Sequence, residues 1–149
     1  MQVRPGCDRL FDDYAPLIRG ERIGLLANPT SVGSGLAPLA SRLHETPEVA
    51  LKVLFAPEHG LWGAEQDMIS VNEARDRATG LPIYSLYGST VESLKPSAGQ
   101  MDDIDVLLYD IQDIGTRYYT YVNTLLYTME VAAQTGVRVV VLDRPNPIT

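Results

Sequence analysis

"IDVLLYDI", residues 104–111, is an apolar run without the strict alternation of a strand that faces water on one side. Continuous runs of this kind belong to strands covered on both faces, the usual condition of a parallel sheet with helices on either side. Four other runs read the same way: "RIGLLAN" (22–28), "VALKVLFA" (49–56), "LPIYSLY" (81–87) and "VRVVVLD" (137–143). Parallel neighbours require crossovers, and the segments between these runs are long enough to supply them.

Two of those segments carry helical spacing. In "LAPLASRLHE" (36–45), Leu36, Leu39, Ala40 and Leu43 fall on one face. In "YYTYVNTLLYTMEVAAQTG" (118–136), Val122, Leu125, Leu126, Met129, Ala132 and Ala133 recur at three and four, and Gly136 supplies a stop. Pro82 begins the third strand, and Pro96 opens a short helix ending near Asp102. The order β-α-β-loop-β-α-β-α-β defines an α/β, doubly wound, mostly parallel sheet of about five strands with flanking helices. A chain of 149 residues, 45% hydrophobic and 21% charged, fits one such domain over residues 1–149.

Composition narrows the classes of partner. Twelve basic residues scattered singly under a net charge of -7 argue against a nucleic-acid surface. No run approaches a membrane span, and "MQVRPGCDRLFDDYAPL" lacks the apolar core of a signal peptide, so the expected location is cytoplasmic. The single cysteine, Cys7, allows no internal disulfide and reads as a thiol without a role.

In a doubly wound sheet the strand C-terminal ends share one edge, where ligands settle. The residues that follow the five runs are Asn28-Pro29-Thr30, Pro57-Glu58-His59-Gly60, Gly88-Ser89-Thr90, Asp110-Ile111-Gln112-Asp113 and Asp143-Arg144-Pro145-Asn146. After the first run, Gly33 and Gly35 have no third glycine at the spacing of a dinucleotide fingerprint, and no Walker A loop is present. No nucleotide cofactor is expected. Nor is a metal: His44 reads as a solvated helix residue, His59 lacks the second histidine of a zinc helix, and Asp110 with Asp113 is a weak divalent-ion pair.

Acid–base chemistry on a sugar fits better, since a glycosidase needs a proton donor near the leaving oxygen and commonly a second carboxylate. Glu58, in "LFAPEHGLWG" (54–63), is the leading acid, because partial desolvation beside Leu61 and Trp62 would lift a carboxyl toward working pH. An exposed loop glutamate is the plainer reading of that segment alone. In "YDIQDIGTRYYTYVN" (109–123), Asp110, Gln112 and Asp113 offer polar forks, Arg117 a cation, and Tyr118, Tyr119 and Tyr121 aromatic faces. The duller alternative has Thr116 capping the helix, the tyrosines packing its first turn and Arg117 pairing with an aspartate. "DRPNPI" reads as a rigid loop that admits a cis peptide, with Asp143 and Arg144 free to neutralise each other. Asp102, Asp103 and Asp105 read as a solvated helix end, and Glu65-Gln66-Asp67 as lid or surface.

Taken together, "GLLANPTSV", "LFAPEHGLWG", "TGLPIYSLYG", "DVLLYDIQDIGTRYYTYVNTL" and "VVVLDRPNPI" resemble, in order and spacing, a bacterial family first described as a domain of unknown function and now associated with exo-acting β-N-acetylmuramidases. The resemblance runs from about Arg22 to the last residue. It implies a Rossmann-like N-terminal domain, a smaller C-terminal domain, and a cleft between them that releases terminal N-acetylmuramic acid from the non-reducing end of peptidoglycan fragments without a nucleotide cofactor. Carried onto this chain, it makes Glu58 the catalytic acid. It places Asn28, His59, Asp110, Gln112, Asp113, Arg117, Tyr118, Arg144 and Asn146 at the substrate edge, with Arg117 or Arg144 against the lactyl carboxylate.

Family members continue past the position of Thr149 into more sheet and a second domain. The resemblance therefore implies that the C-terminal domain is absent from this chain, that it or another chain completes the cleft, and that the 149 residues alone have little activity. Two other readings stay open: a non-catalytic carbohydrate-binding or assembly module, and a structural fragment that self-associates through an apolar sheet edge.

Overall fold

A computed structural model describes residues 3–63 and 75–148. Glu65, Gln66 and Asp67 lie outside the described residues. The five apolar runs form five strands: β1 Arg22–Ala27, β2 Ala50–Ala56, β3 Ile83–Ser85, β4 Val106–Asp110 and β5 Arg138–Val141. All pairings are parallel, in the order β3-β2-β1-β4-β5. Strands 1 to 3 step one way, and the chain then returns to the other side of β1, so the direction of winding switches between β1 and β4.

Alternate residues of each strand enter two separate cores, which explains why the runs are continuous. Ile23, Leu25, Leu54, Ala56, Val106 and Leu108 pack on one face with α1 (Gly6–Asp12) and α2 (Leu39–Glu45). Leu26, Val53, Phe55, Leu107 and Tyr109 pack on the other with α3 (Ala98–Met101) and α4 (Tyr121–Thr135). Strand β3 is shorter than its run because it is an edge, and Pro82 just before it has no N–H to give to a ladder. Ser97, not Pro96, caps α3, in a reciprocal capping box with Gln100. Helix α1 has no counterpart in the expected order. Gly6 lets its first turn touch the end of β5, with a backbone bond from Gly6 N to the Asp143 carbonyl at 2.7 Å.

Helix α4 begins three residues later than its spacing suggests and is turned differently. Its buried positions are Thr124, Thr128, Val131 and Ala132, while Val122, Leu126 and Met129 are exposed. Threonine can face a core when its hydroxyl is satisfied within the helix. Thr128 Oγ1 donates to the Thr124 carbonyl at 2.7 Å, and Thr124 Oγ1 to that of Thr120 at 3.4 Å. Gly136 stops the helix at φ +76°, as expected.

Candidate active site

Glu58 stands in a tight turn at the end of β2. Gly60 N donates to the Pro57 carbonyl at 3.0 Å, and His59 occupies the third position with φ +72°. A type II turn assigns that position to glycine, so a histidine there costs about 1 kcal/mol of backbone strain. Among the described residues only Leu36 shares this positive φ without being glycine. The turn leaves His59 exposed and Glu58 half-buried.

The Glu58 carboxylate faces α4. Thr120 Oγ1 donates to Glu58 Oε2 at 3.4 Å, although Thr120 is the N-cap of that helix and makes no side-chain cap of its own. Here Glu58 lines a cavity of about 310 Å³ with Leu86, Tyr87, Thr120, Asn123 and Tyr127. The desolvating neighbours expected for Glu58 were Leu61 and Trp62. Leu61 is buried in the core on the α1/α2 face, and the Trp62 indole N–H donates to Asp76 Oδ1 at 3.0 Å.

The crevice between β1 and β4, where the winding switches, is filled by the chain itself. Thr30 N and Oγ1 both donate to Asn28 Oδ1, at 3.0 and 2.6 Å. Gln112 N donates to Thr30 Oγ1 at 2.9 Å, and the Ser31 hydroxyl donates to the Asp110 carbonyl. Asn28, expected at the substrate edge, is buried in this lock.

Asp110 and Arg144 pair with each other. Both were expected as substrate contacts, and Arg144 also as a neutralising partner of Asp143. Instead Arg144 clasps Asp110, whose side chain is completely buried, with Nε and Nη2 at 2.7 and 2.8 Å from its two oxygens. Arg144 Nη2 also donates to the Val32 carbonyl at 3.0 Å. Burial pushes the Asp110 carboxyl up, and the two bonds from Arg144 oppose that push. Both Asp110 oxygens are thus engaged within the fold by Arg144. Among the described residues no group of three or more His, Cys, Asp or Glu side chains could hold a metal.

The remaining expected residues fall into two groups. Gln112 Nε2 donates to the Pro145 carbonyl at 3.1 Å, tying the loop after β4 to the chain's last segment. Asn146 lies so close over Gly115 that a Cβ there would meet its Nδ2 at 2.3 Å, and Gly115 has φ +72°. Asp113 is half-buried, and its Oδ1 accepts from Gly115 N. Arg117 and Tyr118, by contrast, project from the loop before α4, with Tyr118 93% exposed. No hydrogen bond or ion pair engages the Arg117 side chain among the described residues. Thr116 does not cap α4, since its Oγ1 is buried without a partner. No described peptide bond is cis. Thr120, Asn123 and Tyr127, which line the cavity, went unmarked in the sequence. Their i, i+3, i+7 spacing was the available signal, masked by the apolar residues between them.

Parallel α/β architecture wound to both sides of β1 defines a Rossmann-like domain, and its Glu58 carboxylate lines a cavity beyond the ends of β2 and β3. More particularly, the chain belongs to the family described as exo-beta-N-acetylmuramidase NamZ, N-terminal, whose sequence model matches residues 23–149. It is 44% identical over 146 residues to the peptidoglycan beta-N-acetylmuramidase NamZ of Bacillus subtilis strain 168, covering 98% of this chain and 34% of that protein. Two crystal structures of DUF1343 family proteins from Bacteroides fragilis NCTC 9343 share the fold. One has a TM-score of 0.86 at 44% identity, covering 97% of this chain and 35% of the other. The second has a TM-score of 0.78 at 32% identity, covering 99% and 36%. The chain thus spans about a third of the length of these relatives. No helix among the described residues is long and apolar enough to cross a membrane.

Proposed function

We propose that the chain supplies the acid-bearing wall of a cleft that releases terminal N-acetylmuramic acid from the non-reducing end of peptidoglycan fragments. The observation that carries this reading is the Glu58 carboxylate in the wall of the 310 Å³ cavity, held toward it by the strained turn at His59 and by the Thr120 hydroxyl. Glu58 gives its proton to the glycosidic oxygen as the bond to the anomeric carbon breaks. The 44% identity to a peptidoglycan beta-N-acetylmuramidase supports this choice of substrate class.

With Arg144 committed to Asp110, Arg117 is the one of these two arginines left to meet a lactyl carboxylate, and Tyr118 and His59 are exposed and free to contact the substrate. A second domain, or another chain, completes the cleft and brings the second carboxylate. The test is a chimera in which this chain replaces the matching third of the Bacillus subtilis relative, assayed on muramyl-terminated peptidoglycan fragments. Release of N-acetylmuramic acid that vanishes in Glu58→Gln supports the reading; release unaffected by Glu58→Gln refutes it. One alternative is a carbohydrate-binding module without turnover, which the exposed Tyr118 and the unengaged Arg117 would also suit. Ligand binding with no release by the chimera would select it.

A further inference from the structure

Helix α4 turns one polar stripe to the cavity beside Glu58: Thr120, Asn123, Thr124 and Tyr127, at i, i+3, i+4 and i+7. The hydroxyl protons of Thr120 and Thr124 are committed, to Glu58 and to the Thr120 carbonyl. The Asn123 carboxamide has no partner among the described residues. The same cavity is lined by two aliphatic side chains from the segment after β3, the buried Leu86 and the half-buried Leu94.

A carboxamide both donates and accepts, so its natural complement is another amide, and a pair of leucines beside it suits a methyl group. An acetamido substituent has these parts. The charge of the lining fits this too: among the described residues it holds no lysine or arginine to pair with an anionic group such as a lactyl carboxylate. We propose that this cavity is the acetamido subsite, in which Asn123 exchanges hydrogen bonds with the 2-acetamido group of the terminal sugar and Leu86 and Leu94 enclose its methyl. The inference rests on the reading of Glu58 as the acid of an amino-sugar hydrolase, and it divides recognition between this cavity for the acetamido group and Arg117 for the lactyl carboxylate.

Binding of N-acetylmuramic acid, N-acetylglucosamine and glucose to the full 149-residue chain tests it, followed by NMR on the Asn123 side-chain amide and the Leu94 methyls. Glucose is the neutral control without an acetamido group. The expected result is that both N-acetylated sugars shift these signals and bind about tenfold more tightly than glucose. Asn123→Ala and Leu94→Asn, both at solvent-accessible positions, should each remove most of that preference while the rest of the spectrum stays folded. Equal binding of glucose, or an acetamido preference intact in both variants, overturns the inference. So does no binding by any of the three sugars. In each case Glu58-dependent hydrolysis by the chimera would leave the functional reading standing, whereas its absence would remove both.

Discussion

Arg144 and Asp110, 34 positions apart, meet as a two-pronged ion pair beneath the switch crevice, with the carboxylate sealed from water and the guanidinium side chain 9% exposed. The pair ties the end of β4 to the segment after β5. Through the Val32 carbonyl and the Cys7 sulfur, at 3.0 and 3.5 Å from Nη2, it also ties both to the loop after β1 and to α1. Breaking one partner leaves the other buried and uncompensated, which costs about 3–5 kcal/mol. Asp110→Ala and Arg144→Ala should each lose that much in urea denaturation, and Asp110→Leu combined with Arg144→Met should recover a large part. A loss under about 1 kcal/mol in the single variants would contradict the burial on which this role rests.

The rotation of α4 gives a second expectation. Leu126→Gln, on its outer face, should change stability by less than about 0.5 kcal/mol, while Val131→Asp, which puts a charge among Leu107 and its neighbours, should prevent folding or cost more than about 3 kcal/mol. The reverse order of effects would restore the phase that the apolar spacing suggests.

Contact between α1 and the segment just after β5 depends on a missing side chain. A Cβ on Gly6 would stand 2.6–2.8 Å from backbone atoms of Asp143 and Leu142, which cannot swing aside as a side-chain tip can. Gly6→Ala should therefore lower stability by about 1–3 kcal/mol in thermal or urea unfolding. An unchanged midpoint would mean that α1 moves freely relative to the sheet.

Acid should weaken the fold through two aspartates. Asp105 is held down to about 2 by hydrogen bonds from the Arg22 guanidinium and backbone N–H. Asp76 also lies below the usual carboxylate range: burial works against its charge, but donors from Thr79 and Trp62 outweigh it. A carboxyl whose folded pKa is depressed adds stability above its unfolded pKa near 4 and loses it as the pH falls through the folded value. Thermal midpoints should drop between about pH 4 and 2, and less steeply in Asp105→Asn and Asp76→Asn. The emission of Trp62, the sole tryptophan, should shift with the protonation of Asp76 in the wild type. Parallel acid profiles in all three proteins would oppose this assignment.

How much of this was legible in the sequence depended on whether the signal was local. Continuous apolar runs such as 104–111 reveal strands buried on two faces, and the five strands follow from them. The phase of α4 was hidden because threonines that bond their own helix carbonyls can be buried, freeing Val122, Leu126 and Met129 to point outward. Helix α1 was missed because it is a short helix with only Cys7 and Leu10 buried. In the candidate site, Glu58 and His59 stood out at the end of an apolar run, but the tight turn they form did not, since its left-handed position holds a histidine where glycine is usual. Nor did pairings across the fold: Asp143 is as near to Arg144 in sequence as any partner could be, yet Asp110 takes it, and nothing local joins Thr120 to Glu58.

The role of Glu58 as a proton donor is tested most directly by the leaving-group dependence of its removal. In the chimera, kcat/KM of wild type and Glu58→Gln would be compared on a muramyl-terminated disaccharide and on an aryl β-N-acetylmuramide whose nitrophenolate departs without protonation. The account predicts that Glu58→Gln loses on the order of 10²–10⁴-fold on the disaccharide and far less on the aryl substrate. Equal losses on both substrates, or none on the disaccharide, would contradict it.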